Sequence, residues 1–360
     1  MSLHFHPLRI KSVRPETDEA VVVSFEVPGD LADTFRFRHG QHLTLRNTVD
    51  GSDERRSYSI CAGVDDGELR VGVRRVPGGR FSTWVNQTLK AGDTIQVMAP
   101  EGRFFVPLDP SAARHYLGIA GGSGITPILS IMKTVLAAEP MSRFTLIYGN
   151  RKLRSTMFVE ELEDLKDRYL GRLTMHMVFS QESTELPLHN GRLDREKIGE
   201  FLGRLVEPSR LDHVFICGPH GVNDEAEAAL TGAGVDPARI HVERFGVPDA
   251  AGAARQAAPE LHVGDAADAK LTIIRDGMRS EIDFHASHGN VLEAAAAAGL
   301  EVPFSCRSGV CCTCRAKLLE GEVRMQRNFA LEKHEVAAGF ILTCQAHPLT
   351  ERVVISFDER

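Results

Sequence analysis

Cys306-Arg307-Ser308-Gly309-Val310-Cys311-Cys312-Thr313-Cys314, followed by Cys344 after 29 further residues, decides how the rest of this 360-residue chain is read. Three thiols spaced x4 then x2 on one loop, with a fourth from a later segment, have the spacing that holds a [2Fe–2S] cluster. Two irons need four thiolates, and a loop that carries three of them can wrap the cluster. Ser308-Gly309 inside the loop lets backbone amides turn toward the sulfurs. Structural zinc, which prefers paired two-residue spacings, and inert thiols are the plainer readings. The expected ligands are Cys306, Cys311, Cys314 and Cys344. Cys312 breaks the x4, x2 pattern and is expected to be a free thiol.

The other two cysteines, Cys61 and Cys217, stand far from this group, which makes seven in all. An odd number in a chain whose start, MSLHFHPLRIK, lacks the apolar core of a secretory signal argues against a disulfide framework. A cytoplasmic protein is expected. Apolar residues make up 42% and charged residues 25%, which excludes a disordered or fibrous chain. The net charge of −7, from 42 basic and 49 acidic residues, argues against a nucleic-acid partner. No apolar run reaches the 18 residues of a membrane span, so no membrane partner is expected.

Working outward from the cysteines, KLTII (270–274) and RSEIDF (279–284) read as a hairpin around Asp276-Gly277, and an Ala-rich helix follows at 291–298. Upstream, residues 247–268 are rich in Ala, Gly, Pro and Asp without a period, and read as a linker that permits domain motion. Before it, strand and helix patterns alternate from residue 108 to 246. Strands are expected at 115–120, 144–149, 173–180, 213–217 and 240–245. Helices are expected after Thr126, after Phe158, near 194–203 and near 222–231. That alternation means βαβ units and a parallel sheet. Residues 1–107 instead show short strands at 20–27, 42–46, 56–60, 68–76 and 93–100, separated by Gly-containing turns, the pattern of a small antiparallel barrel.

Residues 269–360 resemble the plant-type ferredoxin domain, whose fold is a β-grasp sheet with one packed helix. With that in place, the preceding barrel and βαβ segment resemble the ferredoxin–NADP⁺ reductase-like module. The expected fold is therefore multidomain. An antiparallel β-barrel FAD domain (1–107) leads into an α/β parallel-sheet nicotinamide domain (108–246). The linker (247–268) and an α+β β-grasp [2Fe–2S] ferredoxin domain (269–360) follow.

Arg56-Ser57-Tyr58-Ser59 matches the R-x-Y-S motif that the resemblance assigns to FAD. A guanidinium fork suits the pyrophosphate, Tyr58 can pack on the flavin or ribityl chain, and Ser59 can donate toward the reactive flavin nitrogen. Gly78-Gly79-Arg80-Phe81-Ser82 opens a predicted helix over 82–89, and a helix N-terminus with bare amides favours anions. Alone, each element has a plain structural reading; together they point to FAD. One departure stands out. The family usually shows Pro-Gly-Gln where this chain has His39-Gly40-Gln41, which removes a φ constraint and puts the rigidity of that loop in question.

Gly121-Gly122-Ser123-Gly124-Ile125-Thr126-Pro127 lies between a predicted strand and helix and resembles the family's G-x-G-I-T-P motif. Gly122 and Gly124 let a pyrophosphate approach the backbone, with Thr126 expected as N-cap and Pro127 at N1. Cys217-Gly218-Pro219 matches the family's C-G-P, and the resemblance places Cys217 beside the nicotinamide. Glu243-Arg244-Phe245 ends the last strand where the family places a carboxylate and an aromatic near the flavin; Glu243, with Ser59 and Cys217, is expected to be catalytic. Arg151 and Ser180 are candidates for the 2′-phosphate. The basic residues Arg151, Lys152, Arg154 and Arg192 favour NADPH over NADH.

The order of modules implies hydride delivery to FAD and single electrons leaving through the cluster. FRHGQHLTL (37–45), RRSYSIC (55–61), FTLIYGNR (144–151), FICGP (215–219), HVERF (241–245) and LTCQAHPLTERVVISFD (342–358) resemble the reductase subunits of ring-1,2-phenylacetyl-CoA epoxidases. The resemblance implies a separate diiron oxygenase as electron acceptor. Reductases of other ring or alkane hydroxylases are the alternative, and a scaffold with a vestigial reductase fold is a second.

Overall fold

The structure, a computed structural model, describes residues 4–245, 262 and 264–359. They form two compact units, one ending at Phe245 and one beginning beyond it. Most of the predicted linker, residues 247–261 and 263, lies outside the described residues.

The first unit opens with six antiparallel strands: β1 (Phe5–Thr17), β2 (Ala20–Glu26), β3 (His42–Val49), β4 (Ser52–Ser59), β5 (Leu69–Arg74) and β6 (Thr94–Met98). Their order is β4-β3-β6-β1-β2-β5, and a bridge between Ile60 and Val71 joins the two ends. Alternating apolar residues fill the interior, with Leu8, Ile10, Val23, Leu43, Leu45, Val71 and Val97 all buried. Helix α1 (Arg80–Gln87) adds Phe81 and Val85 to that core.

β1 is absent from the sequence reading although it lies inside the sheet. Pro7 and Pro15 argue against an interior strand, since proline cannot donate to the ladder. Both prolines nonetheless sit in the ladder, Pro7 opposite Gln96 of β6 and Pro15 opposite Val21 of β2, and the pairing with β2 carries register shifts between Ile10 and Ser12 and between Pro15 and Thr17. The loop at His39-Gly40 is fixed by tertiary contact. Gly40 has φ +77°, and a Cβ there would lie 1.9 Å from the Phe104 carbonyl oxygen. The buried His39 ring accepts from the Val106 amide at 3.4 Å and packs edge-on against Phe105. Burial lowers its pKa to about 4, so it is a neutral acceptor at physiological pH.

A parallel five-stranded sheet follows, built from β7 (His115–Gly121), β8 (Arg143–Asn150), β9 (Leu173–Phe179), β10 (His213–Gly218) and β11 (Ile240–Arg244). The order β11-β10-β7-β8-β9 reverses direction at β7. The helices are α2 (Ile125–Ala138), α3 (Val159–Arg168), α4 (Arg195–Arg204) and α5 (His220–Gly232). They cover both faces, as a sheet of continuous apolar strands requires. Ligands of such sheets bind where the order reverses, at the carboxyl ends of the strands. Here that point lies between the ends of β7 and β10.

In the second unit, β12 (Asp268–Arg275) and β13 (Met278–His285) form the predicted hairpin. Asp276 and Gly277 both have positive φ, and the Asp358 carboxylate accepts their amides at 2.7 and 2.9 Å. α6 (Val291–Ala297), β14 (Arg315–Glu320), β15 (Val323–Met325), α7 (Lys333–Ala337), β16 (Phe340–Leu342), β17 (Ala346–Pro348) and β18 (Arg352–Ser356) complete it. The main sheet runs β13-β12-β18-β14-β16, with β12 and β18 parallel. α6 packs Val291, Leu292, Ala294 and Ala295 into its core. This is the expected α+β arrangement.

Candidate functional site

Thiols of the cysteine loop and of Cys344 lie against one another. Cys306 contacts Cys311 and Cys344, and Cys344 contacts Cys314. Backbone amides turn toward this group: Ser308 N–H donates to Cys306 Sγ at 3.3 Å and Cys306 N–H to Cys311 Sγ at 3.5 Å. The Gln345 amide donates to Cys344 Sγ, also at 3.5 Å. Thiol and amide donors hold Cys306 well below the usual thiol range, while the neighbouring sulfurs and then burial push Cys311 and Cys344 up. Thiols gathered beside amide donors have the chemistry to hold a [2Fe–2S] cluster, and Cys306, Cys311, Cys314 and Cys344 would be its ligands. Cys312 has a contact of its own. Its Sγ lies 3.3 Å from the Ala330 carbonyl, and its φ of +55° places it in the left-handed region. Gly309, at φ +81°, makes the turn that lets the loop close.

At the barrel, β4 and α1 bring the predicted flavin residues together. Tyr58 stacks on Phe81 with ring centroids 6.1 Å apart and planes 27° apart. The helix starts at Arg80, two residues earlier than predicted, with Gly79 as an N-cap that carries no capping side chain. Ser82 Oγ accepts from the Val76 amide and donates to the Gly79 carbonyl, tightening the turn before the helix. Ser59 is buried, and Ser57 Oγ lies 3.2 Å from Thr44 Oγ1 across the ladder. Arg56 reaches Glu54 at 2.9 Å and donates to the Arg55 carbonyl at 2.7 Å. Arg80, from the other side, lies 3.6 Å from the same Glu54 carboxylate. Two guanidiniums beside a helix N-terminus, with an aromatic platform next to them, fit a flavin dinucleotide. Sequence reasoning missed Glu54 and the guanidinium of Arg80, because charged residues in a strand and a first helical turn read as surface.

The glycine turn and the C-G-P turn interlock. A Cβ on Gly124 would lie 1.9 Å from the Cys217 carbonyl oxygen, and one on Gly121 would lie 2.8 Å from Pro219 Cδ. The ends of β7 and β10 therefore touch through backbone alone. Thr126 is not the helix cap. α2 begins at Ile125, so Thr126 lies within its first turn, where the hydroxyl donates to the Ser123 carbonyl at 3.0 Å. Gly124 takes the N-cap place without a side-chain acceptor, while the Ile125 amide donates back to the Gly122 and Ser123 carbonyls. Gly122 has φ +53°, and its carbonyl accepts from the Tyr148 hydroxyl.

Cys217 is buried at the end of β10, opposite Glu243 on β11. Burial pushes its thiol up, and desolvation raises the half-buried Glu243 carboxyl to about 8. Burial thus favours the uncharged form of both groups. Asn223 Nδ2 donates to the Glu243 carbonyl at 3.1 Å and holds this strand end against α5. Phe245, just past β11, is 37% exposed. The loops of Arg151 and Ser180 are joined: Ser180 N–H donates to the Asn150 carbonyl and Gln181 N–H to that of Arg151. The nearby Glu182 carboxylate accepts from the Leu153 amide at 2.8 Å.

Known proteins show the same three parts in the same order. Residues 7–106 match the family model of the oxidoreductase FAD-binding domain, and residues 119–227 that of the oxidoreductase NAD-binding domain. Residues 273–349 match the 2Fe-2S iron-sulfur cluster binding domain. The chain is 43% identical over 356 residues to a subunit of the 1,2-phenylacetyl-CoA epoxidase of Escherichia coli (strain K12), covering 99% of this chain and 98% of that one. The chain belongs to the oxygenase reductase family. This reductase is also 35% identical over 362 residues to the ferredoxin reductase component of 3-ketosteroid-9-alpha-monooxygenase from Mycolicibacterium smegmatis, covering 99% of this chain and 98% of that one. Among solved structures, phthalate dioxygenase reductase aligns over 98% of both chains with a TM-score of 0.59 and 25% identity. The reductase is thus an electron-transfer enzyme of an oxygenase system, taking electrons from a nicotinamide nucleotide through FAD to a 2Fe–2S centre. Among its described residues no helix is long and apolar enough to cross a membrane.

Proposed function

We propose that this reductase passes electrons from NADPH to a separate diiron oxygenase that epoxidises the aromatic ring of phenylacetyl-CoA, in the cytoplasm. The observation that carries this reading is the 43% identity to the Escherichia coli epoxidase component, which runs the length of both chains. We assign residues 1–107 to the FAD domain, 108–246 to the nicotinamide domain, 247–268 to the linker and 269–360 to the cluster domain.

FAD, when bound, divides a two-electron delivery into single electrons that a 2Fe–2S centre can accept. Arg56, with the α1 amides bared by Gly78 and Gly79, holds the pyrophosphate in this reading. Tyr58 and Phe81 form the aromatic wall, and Ser57 and Ser82 brace the strand and helix that carry them. Ser59 presents its hydroxyl to the flavin ring. Gly122, Gly124 and Thr126 shape the turn on which the nicotinamide nucleotide rests. Cys217, Gly218 and Pro219 form the floor under its reacting ring, with Phe245 at the edge. The neutral Cys217 thiol and Glu243 carboxyl put no fixed charge against that ring, and both carry a proton to donate. Arg151 and Ser180 receive the 2′-phosphate. Support for NADPH comes from Glu182, whose carboxylate is turned to the Leu153 amide instead of standing free to accept from a 2′-hydroxyl. Cys306, Cys311, Cys314 and Cys344 ligate the cluster.

The identity to a ketosteroid monooxygenase reductase component favours a second reading, in which the same electron chemistry serves another oxygenase. Reconstitution separates the two. The full chain, NADPH, phenylacetyl-CoA and the purified oxygenase components of the epoxidase are expected to form the ring epoxide, while the reductase without the oxygenase forms none. Epoxide produced by the reductase alone would contradict the proposal. So would a failure of coupling with an oxygenase that turns over with its own reductase.

A further inference from the structure

Arg74 ends β5 with its guanidinium divided between two neighbours. Nη2 lies 3.1 Å from Glu19 Oε2. Nη1 lies 3.0 Å from the point where a Cβ on Gly122 would stand, so the guanidinium covers the glycine turn. Glu19 sits on the two-residue turn between β1 and β2, opposite the end of β5, and its carbonyl accepts from the Arg75 amide at 2.7 Å. Arg75 and Arg151 also act on its carboxylate, and with Arg74 they hold it below the ordinary range. Three arginines from two segments thus act on one acid, and the one that touches it also lies against the glycine turn. Such a collection of positive charge suits phosphate, and in this structure a side chain of the protein itself answers it.

We propose that Glu19 is an internal counter-ion that competes with the phosphates of the nicotinamide dinucleotide for Arg74, and so limits nucleotide affinity and promotes nucleotide release. The proposal rests on the nicotinamide reading of the Gly121–Pro127 turn. Side-chain exposures of 28% for Arg74 and 48% for Glu19 place the pair in partial contact with water, where an ion pair is weak and exchanges readily. A dianionic pyrophosphate makes more contacts with a guanidinium fork than one carboxylate does, so it displaces Glu19 at modest cost. When the oxidised nucleotide leaves, Glu19 recaptures Arg74 and slows rebinding. The arrangement trades affinity for turnover, which suits an enzyme that must clear product before the next reduction.

The test is equilibrium binding of NADP⁺ to the oxidised, FAD-loaded full chain by calorimetry, with inorganic pyrophosphate as a second probe. Glu19→Gln is expected to lower the Kd for both ligands by about two- to fivefold, the range of a partly exposed ion pair. Asp18→Asn, a charge change of the same size on the same turn, is expected to leave both unchanged. In an Arg74→Gln background, binding weakens and Glu19→Gln no longer tightens it. Unchanged or weaker binding by Glu19→Gln overturns the proposal. Equal tightening by Asp18→Asn does too, because the effect would then be one of general charge. If the wild-type chain binds neither NADP⁺ nor NAD⁺, the nicotinamide reading itself fails, and this proposal with it.

Discussion

Cys314→Ser is expected to yield a folded, yellow protein with no iron and no acid-labile sulfide. It will still oxidise NADPH with two-electron acceptors, but transfer to the oxygenase will fall to background. Cys314 is 2% exposed and meets Cys344 across the loop, so a serine there finds no solvent path and offers a poor iron ligand. The flavin residues lie in the other compact unit, which packs around a core of its own. Cys306→Ser, Cys311→Ser and Cys344→Ser should behave alike. Cys312→Ser should keep full iron, since Cys312 breaks the x4, x2 spacing and its sulfur lies 3.3 Å from the Ala330 carbonyl. Iron and sulfide analysis of the five variants checks this. Full cluster retention in the Cys314 variant, or loss only in the Cys312 variant, contradicts the assignment.

The second large effect is expected at Gly124. Its φ of −61° suits any residue, so alanine costs nothing in local backbone preference. The obstacle is tertiary. The new methyl would stand 1.9 Å from the Cys217 carbonyl oxygen and 2.8 Å from the Gly218 nitrogen, both backbone atoms. The β7–α2 turn and the end of β10 must separate, and overpacking of this kind costs about 1–3 kcal/mol. In this account the same two turns hold the nicotinamide, and a displacement of about 1 Å lowers a hydride-transfer rate roughly 100-fold. Stopped-flow reduction of the flavin by NADPH should show that drop in Gly124→Ala while the visible spectrum of the oxidised protein stays unchanged. Gly203→Ala, where a Cβ meets nothing within 4 Å on the exposed side of α4, is the control and should reduce at the wild-type rate. A normal rate in Gly124→Ala would remove the interlocked turns from the nucleotide site.

Much of this was legible in the chain because the signals were local. The apolar runs of β7, β8 and β10 need both sheet faces covered, and that alone predicts the α/β unit. The Asp276-Gly277 turn is a hairpin signal complete in two residues. The cysteine spacing lies in one loop, so the convergence of its thiols follows from nine residues and one distant partner. What escaped depends on contacts between distant residues. β1 carries prolines that should exclude it from the middle of a sheet, and only its pairing with both β2 and β6 in three dimensions places it there. Glu19 and Arg74 are 55 residues apart, and nothing at either position suggests the other. The same holds for Arg80 and Glu54, which meet only because α1 packs beside β4. Thr126 looked like a helix cap by residue type, yet the close approach of Gly124 to Cys217 brings the glycine into the cap position and the threonine inside the first turn.

The central claim is that electrons run from the nicotinamide nucleotide through FAD to the cluster. Anaerobic titration of the full chain with NADPH, followed by visible absorbance and by electron paramagnetic resonance on the same samples, tests it most directly. The account predicts that the flavin absorbance bleaches and that a reduced [2Fe–2S] resonance grows in step with added NADPH, with no such resonance in Cys314→Ser. A full chain whose flavin bleaches while its cluster stays oxidised, although dithionite reduces that cluster, would contradict it.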